Sequence, residues 1–330
     1  MASTLPPEVQ PIITYLTAPQ LLGVMFNWGL WGILTVQVFV YYLCFQDKLS
    51  VRCLVYGLYT IECLQTALST WDAFQWFSAG FGDLAVLNNP LASPYDSPVI
   101  DAIISLCVQL FFCWRIFVLS KSRIISAIIA TISVAQAGAG IASGIKAGQI
   151  GDLSKLREFL IPELSVWLGG AALADVLIAI TMTFLLLNQR TDMKSSDFII
   201  KRIITLTIET NALSASVAII TLILFIAEPK YPLFICPPYV LGKLYTNTLL
   251  VIFNNRIAMT RGTRLRAASN QVDLRALQPS TNGSSGKVPT FTNRGHIEVS
   301  VTQDFGSSVI NTTTDNLNEY SMDSKLDQKV

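Results

Sequence analysis

Four ionisable side chains stand inside long apolar stretches of this chain: Glu62, Asp175, Glu209 and Lys243. Lys243 is the most demanding of them. It sits near the middle of the run YPLFICPPYVLGKLYTNTLLVIFNNR at 231–256, which as a helix would put its ammonium roughly 15 Å from either end. A charge at that depth costs on the order of 2.5–3.5 kcal/mol on insertion scales. All four groups fall within about two helical turns of the middle of their runs. One ammonium and three carboxylates at similar depth can form an ion pair, carry protons, or bind a polar or anionic ligand. Lys243, Glu209 and Glu62 also belong to polar or small stripes at helical spacing. These stripes are Tyr239, Lys243, Asn247 and Asn254; Thr205, Glu209, Ala212 and Ser216; and Tyr59, Glu62, Thr66 and Ser69. Asp101, Ser105, Gln109 and Phe112 make a fourth. Such faces enclose a hydrated cavity or hold the helices together by hydrogen bonds worth about a kcal/mol each. Lys243, Glu209, Asp175, Glu62, Asn247 and Gln109 are therefore the candidate intramembrane polar site. A structural ion pair of Lys243 with Glu209, Glu62 or Asp175 is the plain alternative.

The elements that must position these groups are membrane spans. Of the 330 residues, 52% are hydrophobic and 14% charged, with a mean hydropathy of +0.50, against about 25% charged in ordinary soluble domains. A net charge of +1 gives no reason to expect nucleic-acid binding. Seven apolar runs follow one another at about 19–45, 51–69, 99–119, 124–145, 164–187, 199–227 and 233–253. The expected fold is all-α: a seven-transmembrane helix bundle at 19–256, a short N-terminal segment at 1–18 and a disordered cytoplasmic tail at 257–330. No basic start with a short apolar core precedes the first run, so it reads as a retained anchor. The fourth run is poor in bulky residues, but Gly140, Gly144 and Gly148 recur at the small-xxx-small spacing of close helix packing.

Basic residues set the orientation. Lys48, Arg52, Lys121, Arg123, Arg190, Lys194, Lys201, Arg202, Arg256, Arg261, Arg264 and Arg266 alternate onto one side. The positive-inside rule makes that side cytoplasmic and puts the N-terminus outside, most simply in the plasma membrane. Trp71, Trp76 and Trp167 would then line the outer interface. The stretch 71–98 reads as an acidic outer loop with Asp72, Asp83 and Asp96, and the segment before Pro162 as a short interfacial helix. The tail is rich in Ser, Thr, Asn, Gln and Gly. Its sequons at Asn282 and Asn311 should stay unmodified on the cytoplasmic side.

Other chemistries find little footing. Six cysteines lie in or beside apolar runs without zinc or disulfide spacing, and the single histidine, His296, is in the tail. No HExxH, GxSxG, Walker or dinucleotide motif occurs, so neither catalysis nor a cofactor is expected. Retinal proteins keep a lysine in the middle of a seventh helix, but microbial rhodopsins place an aspartate four residues before it, where this chain has Tyr239. G-protein-coupled receptors carry Asp-Arg-Tyr and Asn-Pro-x-x-Tyr; here stand Cys113-Trp114-Arg115 and Asn254-Asn255-Arg256. Pro19-Gln20 supplies one Pro-Gln pair of a PQ-loop transporter, and Pro162-Glu163 is a poor second.

Several segments together, NWGLWG at 27–32, Glu62 with Gln65-Thr66, Cys113-Trp114-Arg115, LTIETN at 206–211, GKLYTNTLL at 242–250 and FNNR at 253–256, carry a resemblance. They resemble a large family of fungal seven-helix membrane proteins catalogued only as a domain of unknown function. The resemblance covers about 19–256 and implies a multi-pass membrane protein with a variable polar tail. It implies no activity, ligand or catalytic residue. The expected function is non-enzymatic sensing of an unknown small-molecule ligand, with a cytoplasmic signalling partner on the tail. The alternative is a secondary transporter or proton-coupled carrier using the same buried charges.

Overall fold

The computed structural model describes residues 9–81, 83–153, 155–188, 194–227 and 233–256. The chain divides into two units, Met1–Arg275 and Ala276–Val330, and every described residue belongs to the first. The expected tail at 257–330 lies outside the described residues, as do Arg190, residues 1–8 and the two sequons.

Among the described residues all regular structure is helical. The long helices are α1 (Val9–Cys44), α2 (Leu49–Phe74), α4 (Ile100–Ser120), α5 (Arg123–Ile150), α6 (Leu156–Asn188), α7 (Lys194–Ala227) and α8 (238–256). A short α3 (Leu84–Asn88) lies between two π-helical turns, Gln75–Ala79 and Tyr95–Val99. Five segments are long and apolar enough to cross a membrane: Thr17–Cys44, Tyr95–Ser120, Arg123–Ile150, Leu156–Asn188 and Ile204–Ala227. The protein is a multi-pass integral membrane protein. Helices α2 and α8 pack into the same bundle but are less apolar, because they carry Glu62, Gln65, Thr66 and Asp72 or Lys243, Thr246 and Asn247 on their buried faces.

Burial is inside-out relative to a soluble protein. Large apolar side chains such as Met25, Val36 and Phe39 on α1, Ile180 and Phe184 on α6, and Ile223 on α7 face outward, as a lipid-facing surface requires. The interior combines Leu34, Leu58, Ile104, Ile116 and Leu168 with the polar groups described below. The glycines of α5 do bring helices close. A Cβ on Gly144 would stand 2.5 Å from both the Pro94 carbonyl and Val99, and one on Gly148 would stand 2.4 Å from the Tyr95 hydroxyl. No side chain fits there, so α5 seats directly on the second π turn.

Three expectations need correction. Helix α6 continues through Pro162 rather than breaking before it, and α1 continues through Pro19. Membrane helices tolerate such prolines because neighbouring groups satisfy the freed carbonyl. The stretch 71–98 is not an open loop: α2 runs on to Phe74, and α3 and both π turns fold over the bundle end. Consequently Trp76 is 1% exposed and donates its indole N–H to the Asn89 carbonyl at 3.0 Å. Trp167 is also in the core, and only Trp71 is exposed as an interfacial tryptophan would be.

Candidate functional site

Helix α2 turns Glu62, Gln65, Thr66 and Ser69 inward together, because three- and four-residue steps keep one face. Helix α8 does the same with Tyr239, Lys243, Thr246 and Asn247. Where the faces meet, Lys243 Nζ donates to the Glu62 carboxylate, to the Glu62 carbonyl at 3.1 Å and to Gln65 Oε1 at 2.9 Å. An ammonium has three N–H donors, and all three are used. The second Glu62 oxygen accepts from the Thr246 hydroxyl at 2.6 Å. Both side chains of this ion pair are 0% exposed. Helix α1 ties in through Asn27, which accepts from Thr66 at 3.0 Å and donates to the Tyr239 carbonyl at 3.3 Å. Asn247 donates to the Leu30 and Lys243 carbonyls. Of the three carboxylates expected near Lys243, Glu62 is the one that holds it.

Asp175 belongs to a separate cluster built from α4, α6, α7 and α8. Its oxygens accept from Gln109 Nε2 at 3.0 Å, the Tyr245 hydroxyl at 2.9 Å and the Ser214 hydroxyl. Gln136 of α5 extends the network by donating to Gln109 and Ser105, each at 3.2 Å. Among the described residues no cation takes part, and neutral donors satisfy this buried carboxylate.

Glu209 joins neither cluster. With Thr205, Ala212 and Ser216 it lies on the exposed face of α7, whereas the buried face carries Thr207, Asn211, Ser214 and Thr221. The helix has two polar stripes, and the one with the charge is the outward one.

The largest addition to the sequence reading is a group of acids above the ion pair. Asp72, Asp96 and Asp101 are all 0% exposed. Gln65 Nε2 links them to Lys243 by donating to Asp101 Oδ1 and to the Asp96 carbonyl, both at 2.8 Å. Asp72 Oδ1 accepts from the Ala92 amide at 3.0 Å. The other oxygen of Asp72, the other oxygen of Asp101 and both carboxylate oxygens of Asp96 have no hydrogen-bond partner. Asp72 lies beyond the apolar run of α2, and burial pushes its carboxyl up to about 7 against the pull of the Ala92 and Ser93 amides. Close approach of α8 is part of this arrangement, since a Cβ on Gly242 would stand 2.3 Å from Asp101 Oδ1. Asp72 and Asp96 read as loop residues in the sequence; the π turn at Tyr95–Val99, which no residue pattern announces, brings Asp96 inward.

Beside the acids is a small, mostly apolar cavity of about 70 Å³, lined in part by Ser97, Pro98, Trp167, Phe225, Phe234 and Tyr239. The Ser97 and Tyr239 hydroxyls are buried there without a hydrogen-bond partner. Among the described residues no group of three or more His, Cys, Asp or Glu is placed to hold a metal ion.

A model of a family of unknown function, DUF6534, matches residues 171–258. The matched segment contains Asp175, Ser214, Lys243 and Tyr245, while the partner Glu62 lies outside it. No curated protein and no solved structure matches the chain.

The DUF6534 match ends just past a latch at the opposite end of the bundle. Arg256 forms an ion pair with Asp47, which also accepts from the Tyr41 hydroxyl at 2.9 Å. The Arg256 guanidinium bond holds the Asp47 carboxyl below the usual carboxylate range, against the effect of burial and with help from Tyr41. The guanidinium lies 4.4 Å from the centre of the Phe45 ring. Tyr41, Phe111 and Phe253 pack beneath it, with Phe111 and Phe253 edge to face at 5.3 Å.

Proposed function

We propose that the chain is a seven-span, non-enzymatic membrane sensor. Its N-terminus is outside, its acidic end faces outward and its latch end faces the cytoplasm. Helices α2 and α8 complete the seven spans, since they fill the bundle between apolar neighbours and their polar residues point inward. A small, largely apolar ligand carrying one hydroxyl or carbonyl group suits the outer cavity, where Ser97 and Tyr239 offer free hydroxyls. The observation that carries this reading is the make-up of α8. It places Tyr239 in the cavity wall, Lys243 one turn below in the ion pair and Arg256 in the latch. A ligand that shifts α8 at Tyr239 therefore loads the buried pair and the latch together. A cytoplasmic partner would read that change through the basic face and tail.

One observation favours the alternative, a proton-coupled carrier: the carboxylates of Asp72, Asp96 and Asp101 have oxygens without partners. Against it, the ion pair is fully hydrogen-bonded and an aromatic layer closes the latch end. The two readings separate in phosphatidylcholine liposomes containing the purified full chain and an internal pH dye. The sensor predicts that an imposed pH gradient persists as in protein-free vesicles. A gradient that collapses with the wild type and persists with Asp101→Asn overturns the sensor in favour of the carrier.

A further inference from the structure

Among the described residues, the latch end holds a cation with no counter-charge, Arg115. Arg115, half-buried on α4, lines a cavity of about 280 Å³ together with Asp47, Val51, Trp114, Phe253 and Arg256. The one carboxylate in that wall, Asp47, is already engaged: it accepts from two guanidinium nitrogens of Arg256 and from the Tyr41 hydroxyl. No hydrogen bond or ion pair to Arg115 is formed among the described residues. Among the described residues the cavity thus brings two guanidinium groups and one carboxylate to a single wall, one positive charge in excess. A guanidinium presents five N–H donors in a planar fork that fits phosphate oxygens in pairs. On the side of α4 next to this cavity, Trp114, Phe117 and Val118 are exposed and apolar. Lys48, Arg52, Lys121 and Arg123 stand at the same bundle end, at the starts of α2 and α5 and the end of α4.

We propose that Arg115, beside the Arg256–Asp47 latch, binds a phosphate group in this cavity, supplied by an anionic phospholipid whose acyl chains lie along Trp114, Phe117 and Val118. An anionic leaflet concentrates such lipids near basic residues, and the apolar face of α4 gives the chains a place that a free ion would not need. The site uses Cys113-Trp114-Arg115, which the outer cavity and the buried ion pair leave without a role. The bound phosphate would sit against Arg256 and so bias the latch, which makes lipid composition an input at the cytoplasmic end.

The test is the thermal stability of the full-length protein in detergent, titrated with dioctanoyl phosphatidic acid, dioctanoyl phosphatidylcholine or inorganic phosphate. Phosphatidic acid is expected to raise Tm by about 5–10 °C at ~100 times its Kd, with no rise from phosphatidylcholine. Inorganic phosphate separates the sources: no shift assigns the site to a lipid headgroup, and an equal shift assigns it to free phosphate. Arg115→Gln should abolish the shift, and Arg123→Gln should keep it. Without lipid, Arg115→Gln should melt no lower than wild type, because it removes an uncompensated charge. Val51→Phe, which fills the cavity and leaves the arginine in place, should also lose the shift. A wild type that responds to neither phosphatidic acid nor phosphate overturns the proposal, as does a shift retained in both Arg115→Gln and Val51→Phe.

Discussion

Glu62 and Asp175 are both buried carboxylates in the same bundle, and they are accommodated in different ways. Glu62 faces an ammonium, and every donor and acceptor of that pair is used. Asp175 faces three neutral donors from three helices. A carboxylate inside a membrane bundle therefore does not need a cation; it needs its oxygens hydrogen-bonded. By that standard the Asp72, Asp96 and Asp101 group is the unfinished part of the interior, with oxygens that no donor reaches.

The comparison can be broken at Asp175. Asp175→Leu leaves Gln109 and Tyr245 without their acceptor, while Ser214 keeps the Asn211 carbonyl at 3.2 Å, and each stranded buried donor costs on the order of 1–3 kcal/mol. The expected loss is about 3–5 kcal/mol, seen as a lower denaturation midpoint in detergent. A variant as stable as the wild type would mean that the cluster is hydrated and that its hydrogen bonds are replaceable.

A smaller effect sharpens the contrast with the outer acids. Asp72 has its carboxyl pushed up to about 7 from an ordinary 3.8. Below about pH 4 the folded and unfolded chains both hold this proton. Between about pH 4 and 7 only the folded state holds it, so stability falls as pH rises through that window. The wild type should lose on the order of 3–4 kcal/mol relative to Asp72→Asn across it. Melting both proteins from pH 4 to 8 tests this, and parallel curves would remove Asp72 from the group.

What the sequence makes legible follows from which features are periodic. The apolar runs form the long helices; the stripes at Tyr239–Lys243–Asn247, Glu62–Thr66–Ser69 and Asp101–Ser105–Gln109 and the glycines of α5 obey a helical repeat, and the structure turns these stripes inward and packs Gly140, Gly144 and Gly148 against neighbouring side chains. The error at Glu209 comes from the same rule. Helix α7 has a second stripe, Thr207, Asn211 and Ser214, at equal spacing, and periodicity alone cannot say which of two faces turns inward. The charge of Glu209 lies on the outward of the two faces. Asp72 and Asp96 were illegible for another reason. Their burial depends on two π turns and on α3 folding across the bundle end, which is a matter of backbone path rather than residue pattern. Ser214 and Tyr245 could have been found, because Ser214 shares a face with Asn211 and Tyr245 lies two residues beyond the lysine.

The most direct measurement is a double-mutant cycle on the ion pair. Unfolding free energies are compared for wild type, Lys243→Met, Glu62→Gln and the double variant, with Lys243→Met/Glu209→Gln as the control. Each single change should cost about 3–5 kcal/mol, because it strands a buried partner. The Glu62 double variant should recover much of that loss, with a coupling of about 1–3 kcal/mol, and the Glu209 combination should recover none. Additive losses at Glu62, or rescue by Glu209→Gln, would contradict the pairing on which the account of α8 rests.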